Sequence, residues 1–154
     1  MSGVEVLIAI GSDHAGFNLK STLKQWLIEN DYDVIDLGTN SEASVDYPHY
    51  GAAVGHAVAD GDADFGVAVC GSGQGIAMAV NKIAGARGAV IRANDDAEMT
   101  RRHNDANVAC FGERCTNPDT ALEALDVFLT TDFEGGRHER RVEQLAELDA
   151  GELV

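Results

Sequence analysis

Five short apolar runs recur along the chain, and a stretch with helical spacing follows each one. The first, VEVLIAI (4–10), is nearly all apolar and rich in β-branched residues, the pattern of a strand buried on both faces. YDVIDL (32–37), FGVAVC (65–70), ARGAVI (86–91) and NVACF (107–111) continue the series. Between the first two runs, Leu19, Leu23, Trp26 and Leu27 fall on one helical face. Pro48 suits the first turn of a helix reaching Ala59, and the glycine loop after the third run opens a short helix to about Lys82. Asp95 and Asp96 complement the dipole of a helix ending near His103. Asn117 caps the next helix with Pro118 at its first position, and a last helix is expected from about 137 to 149.

Strands that alternate with helices and are buried on both faces predict a parallel sheet in a three-layer α/β/α arrangement. No internal repeat or Pro/Ser-rich linker interrupts the pattern, so residues 1–154 read as a single domain. Ligands of such sheets bind beyond the carboxyl ends of the strands, where the strand order reverses. With the common order 2-1-3-4-5, the loops after the first and third strands meet there. These loops carry Asp13 and His14, and Cys70 to Gly75.

The bulk chemistry narrows the function. A net charge of −15 excludes a broad basic face and with it nucleic acid as a partner. No apolar run approaches a membrane span, and the N-terminus lacks the basic and apolar halves of a secretory signal. Cys70, Cys110 and Cys115 are odd in number and without metal-like spacing, which fits a reducing, cytoplasmic setting. Salty surroundings and simple solubility explain the acidic excess equally well.

The oddest stretch is AVCGSGQGIA (68–77), where a thiol precedes three glycines at alternating positions. Ile76 stands where a dinucleotide fingerprint needs its third glycine, and also where a cysteine phosphatase needs its arginine. No Gly-Lys-Ser/Thr follows, so the loop is not a Walker motif either. What remains is a nest of backbone N–H groups at a helix N-terminus, beside a sulfur that such donors favour as thiolate. A thiolate there can attack an electrophile, or remove a proton from carbon and leave an enediolate to the amides. The plainer alternative is a tight turn with a packed cysteine.

Arg137 and Arg141 lie four apart, so a helix stacks them on one face, a match for a phosphate dianion. Pairing with Glu139 or Glu143 is the plainer role. His103 suits a helix C-terminus; His49, His56 and His138 lack metal spacing, and no metal site is expected. Cys110 lies within a strand and reads as core; Cys115 falls in a loop without an assigned role.

GSDHAGF, DYPHY, CGSGQGIAMAVNK, RRHNDANV and FEGGRHERRVE, in this order, resemble the type B ribose-5-phosphate isomerases of the ribose/galactose isomerase family. The similarity runs from about residue 4 to 147. It implies a Rossmann-like fold, a homodimer with shared active sites, a phosphorylated sugar as substrate, and no cofactor or metal. It assigns Cys70 as the base that moves a proton between carbons 2 and 1, with Gly71, Ser72, Gly73, Gln74 and Gly75 as the loop holding the enediolate oxygens. His103 is implied in ring opening, with Asp13 at the sugar hydroxyls. His14, Arg114, Arg137 and Arg141 match phosphate-binding positions, and Tyr47 and Asn104 match substrate contacts. Relatives that lack the cysteine use a glutamate at the position of Ile76, so the cysteine variant of the mechanism is expected here.

His103 and Asn104 precede the fifth strand, whereas Cys70 ends the third. One chain cannot bring them together, so a two-fold dimer with composite sites is expected. The alternatives are isomerisation of a six-carbon sugar phosphate (allose or galactose 6-phosphate) and a non-catalytic sugar-phosphate sensor.

Overall fold

The apolar runs form a five-stranded parallel sheet between two layers of helices in the computed structural model, which describes residues 5–152. The strands are β1 (Leu7–Ser12), β2 (Asp33–Asp36), β3 (Phe65–Cys70), β4 (Gly88–Val90) and β5 (Val108–Gly112). The helices are α1 (Phe17–Glu29), α2 (Tyr47–Ala59), α3 (Gln74–Asn81), α4 (Asn94–Asn104), α5 (Pro118–Thr130) and α6 (Arg137–Asp149), with a 3-10 turn at His14–Gly16. The expected start of the first strand at Val4 lies outside the described residues.

Alternation along each strand feeds two cores. Ile8, Ile10, Val67, Val69 and Phe111 point to a layer built by α1, α4 and α5, which adds Leu23, Leu27, Leu125 and Phe128. Ala9, Ala68, Cys70, Val108 and Cys110 point to the other layer, where α2 and α3 add Val54, Ile76 and Val80. The residues on that second face are small, so α2 and α3 sit close, with Gly51 of α2 against Ile76 and Ala79.

The strand order is 2-1-3-5-4 rather than the expected 2-1-3-4-5. β5 inserts beside β3 and leaves β4 at the edge. The physical reason lies in burial. β5 is buried at all five positions, whereas three-residue β4 is half-buried throughout, as an edge tolerates. β2 closes the other edge and exposes alternate residues, so neither outer strand is buried on both faces. The exchange leaves the loops after β1 and β3 adjacent, and it also sets the loop after β5 beside that after β3.

The caps follow the residue chemistry. Asn117 Oδ1 accepts from the Thr120 amide at 2.9 Å, Pro118 opens α5, and Asp95 and Asp96 sit in the first turn of α4. One polar contact was not legible beforehand. Lys20, 1% exposed, donates to Asp36 at 2.7 Å and to the Thr39 carbonyl at 2.6 Å, tying α1 to the end of β2.

Burial alone would raise the Asp36 carboxyl, but hydrogen bonds from Lys20, the Gly38 amide and Lys24 carry it below its ordinary value. A carboxyl lowered in the folded state stabilises fully above its unfolded pKa, and that contribution is lost as pH falls through the folded one. Asp36→Asn is expected to cost about 3 kcal/mol at neutral pH, because it strips the partner from a buried ammonium. It should also flatten the acid limb of stability below roughly pH 4. Urea unfolding of both proteins across that range checks the magnitude and the sign.

Candidate active site

β1 and β3 end side by side, with Ser12 opposite Val69, and β3 and β5 end with Cys70 opposite Gly112. Three loops therefore leave the sheet at one level. The Asp13 amide donates to the Val69 carbonyl at 3.2 Å. The Glu113 and Arg114 amides donate to the carbonyls of Cys70 and Gly71 at 2.9 and 3.0 Å. The backbone itself laces the loops together.

Cys70 is 4% exposed, and its Sγ accepts from the Gly73 amide at 3.1 Å. Gly73 takes a left-handed φ of 81° and caps α3, so the loop after the thiol leads straight into a helix N-terminus. Ser72 Oγ accepts from the Gln74 amide at 3.2 Å, so the hydroxyl expected in the site also braces the loop. The glycines admit neighbours. A side chain at Gly71 would collide with the Arg114 guanidinium, and one at Gly75 would meet the Tyr47 ring at 2.7 Å. The loop thus carries a cation on one flank and a phenol on the other.

Asp13 is buried and caps the 3-10 turn, its Oδ1 accepting from the Gly16 amide at 3.1 Å. Asp13 therefore caps the turn through one oxygen. The His14 ring is fixed by Nδ1, which lies 3.1 Å from both the amide and the carbonyl of Val45. Cys110 sits in the core, where burial and the nearby Cys70 push its thiol up. Cys115 is exposed.

A second group forms at the other end of the sheet. α4 ends there, and the Glu134 amide donates to the Arg102 carbonyl at 3.0 Å, bringing in the start of α6. His103, Asn104, His138, Arg141, Val142 and Leu145 line a pocket of about 380 Å³, and Arg137 opens the same helix. The two groups do not meet. Gly66 to Cys70 spans roughly 13 Å of strand at about 3.3 Å per residue, and Gly66 pairs with Val108, already past His103 and Asn104 in the chain.

Sequence reading missed His138 and Glu134. The His138 ring is buried and stacks on His103 with centroids 4.2 Å apart and planes inclined by 15°. Glu134 reaches both, with its oxygens 4.0 Å from His103 Nε2 and 3.8 Å from His138 Nε2. The signal for His138 was its place with Val142 and Leu145 on the apolar stripe of an otherwise charged helix. Donor atoms of the three residues lie within 4.8 Å of one another. Two nearly parallel rings cannot, however, both aim a lone pair at one ion about 2 Å away. Arg137 and Arg141 further disfavour a cation there.

A doubly wound sheet that brings a thiol, a glycine loop at a helix N-terminus, a carboxyl and a guanidinium to its carboxyl edge is the arrangement of a small-molecule enzyme. The sequence profile described as Ribose/Galactose Isomerase matches residues 8–145. Ribose-5-phosphate isomerase B of Escherichia coli is 44% identical over 142 residues, 92% of this chain and 95% of that protein. A putative sugar phosphate isomerase of Bacillus subtilis is 37% identical over 95% of this chain and 99% of its own. The structure of Clostridium thermocellum ribose-5-phosphate isomerase B superposes with a TM-score of 0.93 at 44% identity, covering 95% of this chain and 99% of that one. The chain belongs to the ribose/galactose isomerase family.

Gly112 tests the lacing of the loops. A side chain there would lie 2.5 Å from the backbone of Ser72, which has no room to yield. Gly112→Ala is expected to lower stability by about 2 kcal/mol. Its loss of catalytic activity should exceed that of Gly75→Ala, where only the half-exposed Tyr47 ring must move. Thermal unfolding and steady-state kinetics of the two variants make the comparison.

Proposed function

We propose that the protein interconverts ribose 5-phosphate and ribulose 5-phosphate, with Cys70 as the carbon acid–base. The observation that carries this reading is the Gly73 amide aimed at Cys70 Sγ, within a glycine loop that leads into the N-terminus of α3. His103 and Asp13 between them open the furanose, which requires a proton at the ring oxygen and removal of one from the anomeric hydroxyl. The Cys70 thiolate then takes the proton from C2, and the C1 carbonyl electrons become an enediolate oxygen held by the amides of Gly71 to Gly75. As the O2 proton passes to O1, the C2 carbonyl forms and the thiol returns its proton to C1. Charge develops where the donors already point, so no dipoles need reorganise during the step. Arg114, His14, Arg137 and Arg141 hold the phosphate, which does not react, while Tyr47, Ser72, Gln74 and Asn104 orient the sugar. No step calls on a metal or a cofactor.

Cys70 and His103 stand at opposite ends of the sheet, so the working unit is a two-fold dimer. One chain supplies Cys70, Asp13, His14, Tyr47 and Arg114, and its partner supplies His103, Asn104, Arg137 and Arg141. Exposed Met78 on α3 and exposed Leu145 and Leu148 on α6 offer apolar surface for such a contact.

Cys70→Ala is expected to bind ribose 5-phosphate as the native chain does and to lose turnover by about 10³-fold or more. Native turnover in that variant sinks the proposed role. Composite sites make a further prediction. Cys70→Ala mixed one to one with His103→Ala and allowed to exchange subunits should recover about a quarter of native activity, since half the dimers are mixed and each holds one intact site. A mixture as inactive as its parents means that each site is built within one chain.

A further inference from the structure

His138 remains unused by that mechanism, although it is the one buried residue of α6. It is 6% exposed, and its Nε2 has no hydrogen-bond partner. Its ring lies face to face with that of His103, 4.2 Å between centroids. We propose that His138 is a positioning residue, a flat platform that fixes the plane of the His103 imidazole for ring opening. The proposal rests on the role given to His103 above.

His103 sits in the last turn of α4 with its side chain 37% exposed. An imidazole so placed exchanges rotamers on the picosecond-to-nanosecond scale unless something holds it. Proton transfer requires an approach of about 2.6–3.2 Å, and a misplacement of about 1 Å can cost 10²-fold. A buried ring stacked within 15° of parallel removes that freedom without occupying either His103 nitrogen. Both nitrogens stay available to the sugar.

The surroundings suit a platform better than a second acid. His103 faces His138 from α4, Glu134 from the segment before α6, and Arg137 and Arg141 from α6 itself. Burial, then His103 and the two arginines, push the His138 imidazole below its ordinary value against the opposing pull of Glu134. A neutral ring can stay stacked while His103 gains a proton.

The test separates ring opening from the proton shift at carbon. Ribulose 5-phosphate carries its phosphate on the oxygen that would close a furanose, so it is always open. Exchange of its C1 hydrogen with solvent deuterium therefore requires no ring opening. His138→Phe keeps a ring plane, and His138→Leu keeps volume without one. His138→Leu is expected to lower kcat from ribose 5-phosphate by about 10–100-fold, with C1 exchange within about twofold of native, and His138→Phe to restore most of the turnover. A His138→Leu variant with native turnover overturns the proposal, as does one that loses turnover and exchange in equal measure. A folded His138→Phe no better than His138→Leu overturns it too. His103→Ala in the same assays isolates the underlying reading. If it turns over ribose 5-phosphate normally, His103 does not open the ring. If it fails while His138→Leu does not, only the platform is wrong.

Discussion

The pairing of β3 with β5 sets the geometry on which the site depends. Because the two strands run parallel and end in register at Cys70 and Gly112, the next residues of each chain segment share one level. The backbone donors of Glu113 and Arg114 then find the carbonyls of Cys70 and Gly71. This arrangement places the Arg114 guanidinium against Gly71, the residue that follows the thiol. It also explains the small residues: Gly71, Gly73 and Gly112 stand where a Cβ would strike Arg114, the β5 backbone and Ser72. The glycines are a consequence of two loops packed backbone to backbone, and the amide nest is what that packing leaves pointing outward.

The same parallel sheet forces the other polar groups away. A helix that returns from one parallel strand to the next must end at the opposite edge, so α4 delivers His103 and Asn104 far from the thiol. α5 returns in the same direction, and α6 begins where α5 stops, which adds Arg137, His138 and Arg141 to that distant group. The division into two groups is thus a property of the topology. It does not depend on the rotamer of any one residue.

Much of this was legible in the sequence because it rests on local chemistry. β-branched runs, the Asn117–Pro118 start of α5 and the acidic first turn of α4 each carry their reason in neighbouring residues. The outer strand order was not legible. ARGAVI and NVACF look alike as apolar runs, and which of them sits inside is decided by the helices that cover it. Buried Lys20 was hidden for a related reason: it lies beside the Leu19, Leu23, Leu27 stripe, and its partner Asp36 is sixteen positions away on another element. His138 was masked by its arginine neighbours, whose charge draws attention from the one ring that turns inward. The amide nest was visible as glycines, but the guanidinium facing it came only from the register of β5.

The disposition of the cations carries the case for an anionic ligand further than their number does. In a chain of net charge −15, most positive groups should be neutralised by nearby acids. Lys20 and Lys24 meet Asp36, Arg87 and Arg101 meet Asp105, and Arg102 meets Glu98, all within 3.5 Å. Among the described residues, Lys82, Arg92, Arg114, Arg137, Arg140 and Arg141 have no such partner, and of these Arg114, Arg137 and Arg141 stand at the two clusters of candidate site residues. At physiological ionic strength, charges beyond about 8 Å are largely screened, so the distant acids weigh little against guanidiniums in contact with a ligand. These three lie in the two separate groups, Arg114 over the thiol loop and the others on α6. In the assembly proposed above, one phosphate must therefore draw its charge from two chains. Ligand binding then stabilises the dimer, and the dimer supplies the binding energy that orients the sugar over Cys70.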